Sequence, residues 1–108
     1  MKNSHPAPSG LTREAKSLWR RLVAEYGIED EGGFQILRVG LENFERMRGV
    51  QAQIDRDGIT YTDRFGQVKA HLLLPVERDA RAQYLAALKA LNLDVEPLRD
   101  RLGRPGGV

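Results

Sequence analysis

Residues 32–56, GGFQILRVGLENFERMRGVQAQIDR, read as one long helix that is apolar on more than one side. Phe34, Leu37, Leu41 and Phe44 recur at helical steps of three, four and three. Ile36, Gly40, Asn43, Met47, Val50 and Ile54 form a second seam at steps of four, three, four, three and four. A surface helix of a small monomer needs one apolar stripe. A second stripe on a rod of roughly 37 Å, at about 1.5 Å per residue, calls for a second partner. That partner is either the rest of one core or another copy of the chain, and the second seam is the candidate oligomer interface. Gly40 and Gly49 lie inside the pattern at a helix-propensity cost of about 1 kcal/mol each, for which close approach of a neighbouring helix would be the return.

The remaining elements follow from local signals. Residues 1–10, MKNSHPAPSG, lack periodicity and read as a flexible arm with a solvated His5. Thr12 offers an N-cap hydroxyl and Glu14 a carboxylate in the first turn of a helix running to about Tyr26. On it Ala15, Leu18, Trp19, Leu22, Val23 and Tyr26 share one face, Arg13, Lys16, Ser17 and Arg20 lie opposite, and Arg21 sits at the border. Gly27 is the expected stop. An acidic turn, Glu29 to Glu31, then suits the start of the long helix. After Arg56 the period changes: Ile59 to Thr62 and Gln67 to Ala70 are β-formers around an Asp63 to Gly66 turn, which predicts a hairpin. A two-stranded hairpin is marginal in water, so it should lie on the helices or pair with a neighbouring subunit. A last helix should start between His71 and Pro75 and run to about Leu91, with Val76, Ala80, Tyr84, Ala87, Leu88 and Leu91 as its apolar stripe and Glu77 outside it. The expected class is mainly α, an antiparallel helical core with a hairpin between the second and third helices. It comprises an arm (1–10), one domain (11–93) and a C-terminal tail (94–108) that closes in GRPGGV.

Chemistry leaves little trace. No phosphate-binding GxxxxGK, GxGxxG or HExxH pattern is present, and cysteine is absent. His5 and His71 are too far apart to form a local motif, and His71 at the hairpin-to-helix junction suits capping or packing. The chain is expected not to be an enzyme, with no cofactor and no metal. No signal peptide or membrane span is recognisable, which suits a soluble cytoplasmic protein. With 17 basic and 15 acidic residues the net charge is only +2, so contact with DNA must rest on local patches. The candidate patch is Arg13, Lys16, Arg20 and Arg21, although any surface helix carries an outer charged face. A second basic cluster in the tail includes Arg99, Arg101 and Arg104.

The order of elements, with LTREAKSLWRRLVAEYGI in front and the GIT-x-T-D-x-x-G-x-V-K-x-H hairpin behind, resembles the small subunit of phage terminases. It is most similar to the short family found in tailed phages, prophages and gene transfer agents. The residues that carry this are Leu11, Ala15, Trp19, Tyr26, Gly27 and Ile28, then Gly58, Ile59, Thr60, Thr62, Gly66, Val68, Lys69 and His71. The resemblance implies a non-enzymatic packaging factor in the host cytoplasm. Such a factor forms a homo-oligomeric ring, engages double-stranded DNA, and recruits and regulates the large terminase subunit, a motor and nuclease. It implies a C-terminal contact with that subunit, here Leu98, Arg99, Arg101, Leu102 and Arg104. The chain has a nearly uncharged arm where relatives often carry a basic extension, and Leu72 where they tend to have proline. DNA binding is therefore expected to be weak, with little sequence preference. The alternative is a small DNA-binding regulator or structural adaptor with no packaging role.

Overall fold

In a computed structural model, which describes residues 6–92, the chain forms three helices and one hairpin in the order α1 (Arg13–Tyr26), α2 (Glu31–Asp57), β1 (Thr60–Thr62), β2 (Val68–Ala70) and α3 (Leu74–Ala90). The helix ends lie within a residue or so of the expected positions, α1 and α2 starting at side-chain caps and α3 at Pro75 in its first turn. The Thr12 hydroxyl accepts from Ala15 N–H at 3.2 Å. Gly27 closes α1 in the left-handed region at φ 64°, its N–H donating to Val23 C=O. The Asp30 carboxylate accepts from Gly33 N–H at 3.4 Å and starts α2. Asn92 follows α3 at φ 63°, a conformation asparagine tolerates better than most residues.

The core sits between α2 and its two neighbours. Leu37 and Leu41 are almost completely buried, joined by Ala15, Trp19, Phe34, Phe44, Met47 and Ala80. Each large side chain removed from water contributes about 1.5–3 kcal/mol. Trp19 of α1 stacks on Phe34 with ring centroids 5.7 Å apart, and Phe44 meets Tyr84 of α3 at 5.2 Å. Helix α3 runs antiparallel along α2: Gln51 reaches Glu77, Phe44 reaches Tyr84, and Gly40 meets Ala87. The segment before α1 is not wholly free of the body, since Ala7 packs against the core and Leu11 is buried.

The second seam of α2 is corrected by this packing. Gly40, Met47 and Ile54 are buried within the single chain, and a Cβ placed on Gly40 would lie 2.7 Å from the Ala87 methyl. The close neighbour expected at Gly40 is therefore α3. Periodicity marks a covered stripe and cannot say which chain covers it. Ile36, Asn43 and Val50 stay half-buried and, with exposed Val39, form an uncovered flank. Gly49 has nothing within 4 Å of its would-be Cβ, so none of the described helices of the chain approaches there. On α3 the stripe is rotated slightly from expectation: Glu77 is buried and Val76 exposed. Glu77, Ala80, Tyr84 and Ala87 follow one another at three, four and three; Val76, four before Ala80, borders the same row, and the docking of α3 on α2 turns Glu77 to the inside.

The hairpin pairs Thr60 with Ala70, Tyr61 with Lys69 and Thr62 with Val68. Its turn is organised by Asp63, whose carboxylate accepts from Phe65 N–H at 2.8 Å and Gln67 N–H at 2.9 Å, and Gly66 adopts φ 80°. All six strand residues are exposed, so the ribbon does not lie on the helices.

Candidate nucleic-acid interface

The outer face of α1 collects the candidate basic residues because the opposite face is committed to Trp19 and Ala15. Arg13 and Arg20 are exposed and Lys16 is half-buried, and their spacing of three and four sets them along about 10 Å of one helix edge. Among the described residues none of the three, nor Arg21, forms an ion pair. Helix α1 contains two carboxylates: Glu14 pairs with Arg48 of α2 at 3.0 Å, and Glu25 lies toward the helix end. Arg48 is engaged at the surface, its guanidinium also sitting 5.3 Å from the Phe44 ring centroid and donating to Gln51.

Arg21 separates from the other three. Burial pushes the Tyr84 phenol above its ordinary value, while the charges of Arg21 and Arg48 pull it the other way. Arg21 itself is exposed and stands at the border of the helical wheel, off the line of the other three. The Thr12 backbone N–H donates to the Glu45 carboxylate of α2, fastening the start of α1. The basic edge is held on a rigid element at both its beginning and its middle.

His71 occupies the junction between hairpin and α3. Its Nδ1 accepts from Leu73 N–H at 3.0 Å, and its Nε2 lies 2.8 Å from an Asp57 carboxylate oxygen. An Nδ1 that accepts carries no proton, so Nε2 carries it and donates to Asp57. Hydrogen bonds from Gln53 and then His71 hold the Asp57 carboxyl below its ordinary 3.8. This is a structural clasp across the base of the hairpin, in keeping with the capping role expected of His71. Sequence patterning missed Glu77, whose buried carboxylate accepts from Gln51 at 2.9 Å and pairs with Arg81. Its residue type argued for the surface, while its spacing from Ala80 and Tyr84 was the signal that could have placed it inside.

No group of three or more His, Asp or Glu among the described residues is arranged to hold a metal. No described helix is long and apolar enough to cross a membrane. The tail residues Leu98, Arg99, Arg101, Leu102 and Arg104 lie outside the described residues, as does His5. None of the family models, curated proteins or solved structures compared with the chain matches it.

Proposed function

We propose that the chain is a small terminase subunit, a non-enzymatic DNA-packaging factor that self-assembles, engages double-stranded DNA through α1 and recruits the large motor subunit through its C-terminal tail. The observation that carries the DNA half of this reading is the row Arg13, Lys16 and Arg20, aligned on the outer edge of α1 with no carboxylate partner among the described residues. Such a row meets phosphates without reading bases, which gives salt-sensitive and sequence-tolerant binding. Repetition around an assembly multiplies weak contacts by avidity. The order of elements around a long central helix supports the same assignment, and the uncovered flank Ile36, Val39, Asn43 and Val50 supports self-association.

A small DNA-binding regulator or adaptor shares the basic edge. It is favoured by one observation: Gly40, Met47 and Ile54 are satisfied inside the chain, which halves the self-interface anticipated on α2. The deciding experiment is DNA retention by the R13E/K16E/R20E triple variant, with assembly followed by light scattering. Retention should fall by more than about tenfold with mass unchanged, and each cation removed singly should lower the salt dependence by about one phosphate contact. Undiminished retention rejects α1 as the DNA-binding edge. Tight binding to a single operator by a monomer selects the regulator.

A further inference from the structure

The hairpin and the α2 flank are both uncovered, and their chemistry is matched. On the hairpin the large apolar side chains stand in solvent: Ile59 is 65%, Phe65 75%, Val68 72% and Leu72 73% exposed. One face of the ribbon, Thr60, Thr62, Val68 and Ala70 continued by Leu72, carries no charge at all. Beside it Lys69 pairs with Asp63 at 3.7 Å and Arg78 with Asp79 at 3.5 Å, the His71 imidazole donates to Asp57, and the Arg64 guanidinium of the turn lies over the Phe65 ring, 5.1 Å from its centroid. A single exposed guanidinium at the turn is a weak draw for a phosphate backbone or an anionic membrane, whose binding needs several cations together. An exposed apolar patch rimmed by polar groups fits a protein surface of the same neutral kind.

The chain carries such a surface. Ile36, Val39, Asn43 and Val50 form one stripe on α2, in which Val39 is 53% exposed, and exposed Arg46 marks its polar rim. The one polar member makes little demand, because the Asn43 amide donates back to Val39 C=O at 3.0 Å. The hairpin does not lie on this stripe within its own chain. Val39 lies eighteen residues before the end of α2, about 27 Å away along the helix axis, and the strand residues are exposed throughout. The tail beyond Asn92 is a poor occupant for the ribbon: it starts at the far end of α3 and is dominated by Asp, Glu, Arg, Gly and Pro.

We infer that the uncharged face of the hairpin of one copy packs on the Ile36–Val39–Asn43–Val50 flank of a second copy. The two patches differ, so the contact is head-to-tail: each copy gives a hairpin to one neighbour and receives one from the other. A contact of that kind closes into a ring where the rotation permits and runs on as a filament where it does not. The inference rests on the self-assembly half of the function proposed above and supplies the contact it needs.

The test uses two variants at exposed positions, V39E, which spoils the flank, and V68E/L72E, which spoils the hairpin face. Mass is measured by light scattering, with helix content checked by circular dichroism. Wild-type chain should be a multimer and each variant alone a single chain. An equimolar mixture of the two should give a 1:1 heterodimer, since one intact hairpin and one intact flank remain. A mixture that stays monomeric overturns the contact. So does a V39E protein that remains assembled while V68E/L72E dissociates, which would assign hairpin-to-hairpin pairing. If both variants keep the wild-type mass, the contact is wrong and assembly stands on another surface. If the heterodimer forms but wild-type chain yields an open-ended series of masses, the contact holds and the ring fails. A wild-type chain that is monomeric at all concentrations overturns both.

Discussion

The α2/α3 pair and the hairpin that joins it are neighbours in sequence and opposites in physical design. In the helical pair every large apolar side chain of the main seam is covered, a glycine admits an alanine, and the buried Glu77 finds both Gln51 and Arg81. In the hairpin the backbone is specified closely, by Asp63, Gly66 and the His71 clasp, yet the side chains cover nothing. The core is built for its own chain and the ribbon is built as a shape to be presented. Conformation and burial are separate properties, and a segment that has the first without the second points outward.

Three comparisons would break or sharpen that contrast. The largest effect belongs to Leu41→Ala in the completely buried seam, expected to cost about 2–5 kcal/mol in urea unfolding, whereas Val68→Thr on the exposed ribbon should stay within about 0.5 kcal/mol in the isolated chain. If the two cost the same, the hairpin is part of the folding unit's core. Next come the two helical glycines. Gly40→Ala forces a methyl against Ala87 and should destabilise by about 1–3 kcal/mol, while Gly49→Ala meets open space and should stabilise by about 0.5–1 kcal/mol. Equal signs for the pair in thermal unfolding would refute the close α2/α3 approach. The smallest effect is acid sensitivity of the clasp. The Asp57 carboxyl is held low in the folded chain, so its contribution is fully present above pH 3.8 and fades as pH falls through the depressed value. Asp57→Asn should flatten the low-pH end of the stability profile, and an unchanged profile would show that the clasp adds nothing.

Much of the fold was legible because its boundaries are chemical. Thr12, Gly27 and the Asp63 to Gly66 turn each act through their own backbone or nearest neighbours, and such local signals survive any tertiary arrangement. The second seam was legible as a stripe and illegible as an address, since Gly40 needs a small neighbour and nothing in its spacing names Ala87. Glu77 was hidden by its charge, and only its two partners, one of them on another helix, make its burial tolerable. The basic edge of α1 was readable as residues, but that Glu14 turns to Arg48 and leaves Arg13, Lys16 and Arg20 without a carboxylate depends on where α2 passes.

The clasp between Asp57 and His71 joins residues only fourteen apart, and the next inter-helix tie, Gln51 to Glu77, spans twenty-six. The cost of closing a chain loop rises with its length, by about 0.6 kcal/mol per doubling. Bringing Gly40 to Ala87 in one step closes a far longer loop than closing the ribbon first and advancing turn by turn. The two long helices thus have a built-in starting point for zipping together, located in a segment whose side chains the finished core does not use.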